Sequence, residues 1–190
     1  LKIIHADIRD FLKNTRYRIL NTQYKVLGNI PYYLTSRLLR LLLEHPIKPK
    51  LIVLMVQKEV AERIIAQPPK MNLLAVSVQF YAKPKIIYYV PRTAFWPKPK
   101  IDSAIIKILP MDTKENTNEI QKENFFKVAK SGFKQPRKLL INNLSKNLNV
   151  RKDFIQKIFL QLNIHLKARA QDIPMKQWTS LSSLLMKNIV

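Results

Sequence analysis

The feature that most constrains this chain is a change in hydrophobic period near residue 110. Upstream of it, short apolar runs alternate with helix-like patterns; downstream, the apolar stripes repeat at helical spacing. Short continuous apolar runs between helical patterns need a sheet covered by helices, and unbroken helical spacing needs a helix bundle, so the two parts need different architectures. Lys2–Ala6, Tyr24–Leu27 and Leu51–Val56 each read as a buried strand rich in Ile, Val and Leu. Thr35–Leu43 reads as a helix with Thr35 or Ser36 near its cap. Gln57–Gln67 reads as another, with Val60, Ile64 and Ile65 on one apolar face. Leu73–Tyr81 reads as a third helix, although Ala75–Phe80 also fits a strand. Two β-rich runs follow, Lys85–Val90 and Ser103–Leu109, separated by the Pro-dense segment Pro91–Pro99. This order predicts an α/β fold over residues 1–110, an open and mostly parallel sheet with an antiparallel edge.

Residues 111–118 turn polar and read as a linker, and residues 119–190 as a small all-helical domain. Phe125, Phe126, Ala129 and Phe133 share one face; Leu140, Ile141, Leu144 and Leu148 share a second. Phe154, Ile155, Ile158, Phe159 and Leu162 form a third, and Pro174 stands where a last helix, Met175–Met186, would start.

Charge narrows the partner. Lys and Arg number 34 against 12 Asp and Glu, a formal net charge of +22. The excess is spread along the chain, with 19 basic and 6 acidic side chains in residues 1–110 and 15 and 6 in residues 111–190. Such self-repulsion is best accounted for by a polyanionic partner, nucleic acid ahead of an acidic membrane surface. No apolar run reaches the length of a membrane span, since Leu38–Leu43 is interrupted by Arg40. There is no Cys, which permits a reducing compartment and removes thiolate ligands; His5, His45 and His165 match no metal-ligand spacing. No metal site is expected, and a monomer is expected. Only Gly28 and Gly132 occur, so no phosphate loop or dinucleotide fingerprint can form from this sequence.

The most informative stretch is Leu27-Gly28-Asn29-Ile30-Pro31-Tyr32-Tyr33, directly after a predicted strand, where open α/β sheets place ligands. The exocyclic amine of adenine is a poor nucleophile because its lone pair is delocalised into the ring. Two acceptors at its N–H groups would draw it toward a tetrahedral, more nucleophilic geometry. The Asn29 side-chain oxygen and the Ile30 carbonyl, held before Pro31, can supply them. Tyr32 can stack on a base that has left its helix. A plain strand-to-helix turn also uses Gly, Asn and Pro, and on these four residues alone that reading stays open.

The neighbouring segments add a resemblance. Asn29-Ile30-Pro31-Tyr32 resembles the substrate-amine motif of the ribosomal RNA adenine N6,N6-dimethyltransferases of the small subunit. Phe95-Trp96-Pro97-Lys98-Pro99-Lys100-Ile101-Asp102-Ser103-Ala104 is similar to that family's Phe-x-Pro-x-Pro-Lys-Val-Asp-Ser-Ala segment. Val56–Arg63 resembles its typical helix entry, and Phe133–Lys138 and Ala168-Arg169-Ala170 resemble signatures of its helical C-terminal domain. The resemblance implies a class I, Rossmann-like methyltransferase sheet followed by an RNA-binding helical domain, in a cytoplasmic enzyme using S-adenosylmethionine on small-subunit ribosomal RNA. It implies that Asn29 and the Ile30 carbonyl accept from the target amine, that Tyr32 stacks on the base and that Phe95 covers its other face. Asp7, and Asn29 again, would meet the cofactor; the family usually has Gly before that Asp, and here it is Ala6. A helix cap is the other reading of Asp7.

Lys98 and Lys100 would hold the strand beside the target. Lys130, Lys134, Arg137 and Lys138, with Lys127, would hold phosphates from the helical domain; a solvated helix face is the alternative. Glu59, Glu62 and Arg63 read as an exposed, paired helix surface. The family's Gly-rich cofactor loop lies upstream of the region matched by Leu1. The expectation is therefore the C-terminal two-thirds of an enzyme, inactive alone. Two other readings are a resistance-type methyltransferase of large-subunit RNA and a non-catalytic assembly or mitochondrial transcription factor. A DNA adenine methyltransferase fits less well, since two adjacent prolines are more usual there.

Overall fold

The structure, a computed structural model, describes residues 3–8, 10, 24–113, 116 and 118–187. The chain divides into two compact units, Leu1–Glu62 with Tyr81–Met111 and Arg63–Phe80 with Asp112–Val190.

The first unit is built on a four-stranded sheet of β1 (Lys25–Asn29), β2 (Leu51–Gln57), β3 (Ala82–Val90) and β4 (Ser103–Pro110), in the order β1-β2-β4-β3. Helix α1 (Thr35–Glu44) is the crossover that lets β1 and β2 run parallel. β4 lies antiparallel to both β2 and β3, so among the described residues the sheet is mixed and not mostly parallel. Composition marks which segments are strands, but long-range pairing decides their direction, and the Pro-dense connection sends β4 back between its neighbours. Ile3–Ala6 is a second departure. These residues form no strand, Ile3 is 88% exposed, and no described strand lies beside them; Lys2 is outside the described residues. An apolar run without a pairing partner has no ladder to join.

Alternation on β2 buries Ile52, Leu54 and Val56, and the register aligns them with Ile108, Ile106 and Ala104 of β4. All six are fully buried, as are Leu39, Leu42 and Leu43 on the apolar stripe of α1. Each large side chain so buried contributes about 1.5–3 kcal/mol.

Helix α2 (Lys58–Ile64) ends earlier than its apolar pattern predicts. Pro68 and Pro69 carry no N–H for the carbonyls of Ile64 and Ile65, so the helix stops there, and Gln79 donates from Nε2 to the carbonyls of Ile64 (3.0 Å) and Ala66 (2.9 Å) instead. Helix α3 (Leu73–Tyr81) settles the ambiguous run as helix, with Asn72 Oδ1 accepting from the Ala75 amide at 3.0 Å.

The second unit holds α3 up to Phe80, with α4 (Glu119–Phe133), α5 (Leu140–Leu148), α6 (Lys152–Gln161) and α7 (Met175–Lys187). Phe80 stacks on Phe125 with centroids 4.0 Å apart, and Phe126 meets both edge-on. Trp178 of α7 is fully buried and stacks on Phe133 at 5.2 Å. Gly132 is required there, since a Cβ would lie 2.6 Å from Trp178 Cη2 and 2.8 Å from Leu140 Cδ1. Asn149 closes α5 with φ 55°, a left-handed residue suited to Asn. In the polar stretch 111–118, of which 114, 115 and 117 lie outside the described residues, Asn116 is buried. Its Nδ2 donates to the Phe80 carbonyl at 3.2 Å. No helix among the described residues is long and apolar enough to cross a membrane.

Candidate functional site

Strand β1 delivers the Asn29–Tyr32 segment. Gly28 faces the buried side of the sheet, where a Cβ would stand 3.3 Å from both Leu54 Cδ2 and Ile30 Cγ2. A glycine therefore lets Ile30 fold back against the sheet as the strand ends. Asn29, the last residue of β1, is exposed, and its side chain makes no hydrogen bond to another described residue. Pro31 (φ −54°, ψ 131°) turns the chain into a single 3-10 turn over Tyr32–Leu34. Its carbonyl takes the Leu34 amide at 2.9 Å, and the Tyr32 carbonyl takes the Thr35 hydroxyl at 3.0 Å. No described residue donates to the Ile30 carbonyl. Among the described residues, Asn29 and Ile30 thus present two acceptors without a donor, ahead of a turn whose Pro31 and Tyr32 carbonyls are occupied.

Thr35 lies next to the cap of α1, as expected, but does not itself cap it. It is the first helical residue, 2% exposed, and its hydroxyl reaches back to the 3-10 turn, while Leu34 holds the cap position without a side-chain bond. Threonine's short branched side chain makes that backward bond without reaching the amides ahead.

Tyr32 is half-buried, and its hydroxyl lies 2.7 Å from Ser103 Oγ. Ser103 opens β4 and is fully buried between Gln57 and Val90 in the sheet register. Two motifs distant in sequence therefore meet through one hydroxyl pair. Sequence reasoning gave Ser103 no role, though it stood inside the matched segment.

Phe95 is half-buried after a second 3-10 turn, Arg92–Ala94; no ring contact among the described residues joins it to Tyr32. The connection between β3 and β4 is closed at its base. Asp102 Oδ1 accepts the Arg92 amide at 3.0 Å, the Asp102 carbonyl accepts the Lys58 amide at 3.0 Å, and Arg92 Nη1 donates to the Lys100 carbonyl at 3.3 Å. Trp96, Lys98 and Lys100 on this loop are exposed. Asp7 is exposed too, and its carbonyl accepts the Asp10 amide at 3.0 Å. No hydrogen bond joins Asp7 to the Asn29–Tyr32 segment.

In the second unit, Lys127, Lys130, Lys134, Arg137 and Lys138 are all exposed, and none is ion-paired with another described residue. The turn that carries Lys134, Arg137 and Lys138 is fixed from below by buried Asn143, another residue the sequence did not flag. Its Nδ2 donates to the carbonyls of Gly132 (2.8 Å) and Gln135 (2.9 Å). Among the described residues no group of three or more His, Asp or Glu could hold a metal ion.

The fold and this site define an α/β protein with an attached helical unit and an acceptor pair at a strand end. Residues 1–187 match the ribosomal RNA adenine dimethylase family, and the chain belongs to it. It is 40% identical to ribosomal RNA small subunit methyltransferase A of Dehalococcoides mccartyi over 98% of this chain and 64% of that protein. Against the protein of the same name from Bacillus thuringiensis the identity is 35%, over 93% of this chain and 64% of the relative. The chain therefore spans less than two thirds of the length of these relatives. A dimethyladenosine transferase structure from Plasmodium falciparum superposes with a TM-score of 0.68 at 25% identity, covering 83% of this chain and 65% of that one. The 23S rRNA methyltransferase ErmE superposes with a TM-score of 0.66 at 19% identity, over 88% of this chain and 69% of that one, a likeness of fold.

Proposed function

We propose that this chain forms the adenine-binding and RNA-contacting part of an S-adenosylmethionine-dependent ribosomal RNA adenine N6,N6-dimethyltransferase acting on the small subunit. The observation that carries the reading is the acceptor pair, the Asn29 side chain and the Ile30 carbonyl, with no donor among the described residues, and the Tyr32 hydroxyl held by Ser103. A flipped adenine offers two N–H donors on its amine. Accepting both orients the nitrogen lone pair and leaves Tyr32 to stack on the ring. No strong base is needed, because the amine proton becomes acidic once the nitrogen has been alkylated. Phe95 is the proposed cover for the other face of the base. Lys98, Lys100, Lys130, Lys134, Arg137 and Lys138 are proposed phosphate contacts, consistent with a charge of +22.

The methyl donor supplies an electrophilic methyl group. Asp7 and Asn29 carry exposed oxygen acceptors of the kind an adenine amine of the cofactor would use. These two residues would make one edge of its pocket. We assign catalysis to residues 1–110 and RNA binding to residues 119–190, joined by 111–118, with Arg63–Phe80 folding into the helical unit, and place the enzyme in the cytoplasm as a monomer.

The test joins the chain to the upstream segment its relatives carry and incubates it with S-adenosylmethionine and unmethylated small subunits. Nucleoside mass spectrometry should detect dimethyladenosine, and Asn29→Ala should abolish it. Salt-sensitive binding to the subunit without any methylated adenosine would instead make the chain a binding factor.

A further inference from the structure

Trp96 is 97% exposed, the most exposed large apolar side chain in the described structure. Leaving an indole in water forgoes the burial that usually fixes its position. The loop that carries it is nevertheless closed at its base by Asp102, which accepts from the Arg92 amide, and by the Arg92 guanidinium on the Lys100 carbonyl. The surroundings are cationic. Arg92, Lys98 and Lys100 are exposed, and none forms an ion pair with another described residue. An exposed aromatic face among unpaired cations on a loop with a fixed base is the combination used to hold single-stranded nucleic acid, the ring taking a base and the cations its phosphates.

We propose that Trp96 is a stacking platform for an unpaired nucleotide of the RNA flanking the target adenine, with Lys98 and Lys100 on the adjoining phosphates. The proposal rests on the ribosomal RNA reading and adds a contact outside the adenine pocket. It makes Trp96 a positioning residue, one that sets how the strand enters and takes no part in methyl transfer.

The chain supplies its own probe. It has two tryptophans; Trp178 is fully buried, so emission open to a neutral quencher such as acrylamide comes from Trp96. The experiment uses the chain joined to a tryptophan-free version of the family's cofactor-binding segment and a fluorescein-labelled small-subunit RNA hairpin with unpaired adenines, with binding followed separately by anisotropy. RNA should quench the exposed emission and shield it from acrylamide. Trp96→Phe should abolish the optical change while keeping RNA affinity within about threefold. Trp96→Ala should weaken affinity by about tenfold, the loss of one base stacked on an aromatic ring, with an unchanged melting temperature. RNA that binds by anisotropy without changing the emission, or with equal affinity to Trp96→Ala, overturns the platform and leaves the methyltransferase reading standing. Emission already shielded from acrylamide before RNA is added would show that a protein segment covers the indole, and would also overturn it. Absence of RNA binding at low salt would sink both readings together.

Discussion

The Tyr32 hydroxyl and Ser103 Oγ lie 2.7 Å apart, across 71 residues of sequence. The bond ties the turn after β1 to the start of β4, and Ser103 is fully buried. Losing it leaves one buried hydroxyl without its partner. Tyr32→Phe should destabilise the protein by about 1–2 kcal/mol in urea denaturation, and Ser103→Ala by a similar amount. The double variant should cost less than the sum. Strictly additive losses would show that the two hydroxyls do not act as a pair.

Gly132→Ala tests packing against propensity. Alanine is favoured over glycine inside a helix by about 1 kcal/mol, so on a bare helix the change would stabilise. Here the new methyl would stand 2.6 Å from the Trp178 ring and 2.8 Å from Leu140. The expected result is a net loss of about 1–3 kcal/mol and an altered near-ultraviolet signal from Trp178. A rise in melting temperature would show that the ring can move aside.

Asn143→Leu removes the donor to the Gly132 and Gln135 carbonyls. A loss of about 2–3 kcal/mol is expected, since a buried carbonyl is left unsatisfied. Asn143→Asp should be no better, because a carboxylate would face the same oxygens. If chemical denaturation finds both variants as stable as the parent, the clamp is not what holds this turn.

The exposed cations on that turn make a prediction about salt. Replacing Lys134, Arg137 and Lys138 with Gln should lower the slope of log affinity against log salt by about 2–3 for RNA, at roughly 0.7–0.9 for each phosphate the side chains no longer neutralise. Affinity measured from low to high salt gives the slope directly. An unchanged slope would return these residues to an ordinary solvated surface.

Much of this was legible in the sequence. α3 matches its predicted bounds, and α1 and α7 lie within one residue of theirs, because their apolar spacing and breakers are local signals. The turn after β1 was readable too, since Gly-Asn-Ile-Pro constrains its own backbone. The sheet was less so. Nothing local says that β4 lies between β2 and β3, or that Ile3–Ala6 has no strand beside it among the described residues. Ser103 and Asn143 were invisible for the same reason: each matters through a partner brought near by folding.

The second unit is drawn from two separated stretches, Arg63–Phe80 and Asp112–Val190, with β3 and β4 of the first unit coming between them in the chain. Phe80 lies in the earlier stretch and its stacking partner Phe125 in the later; the Met71 amide likewise bonds the Gln171 carbonyl at 3.1 Å. The helical part is therefore no detachable cassette. A gene cut at residue 112 would leave Phe125 without its stacking partner, and a ribosome making the protein must finish the last strands of one unit before the other can close.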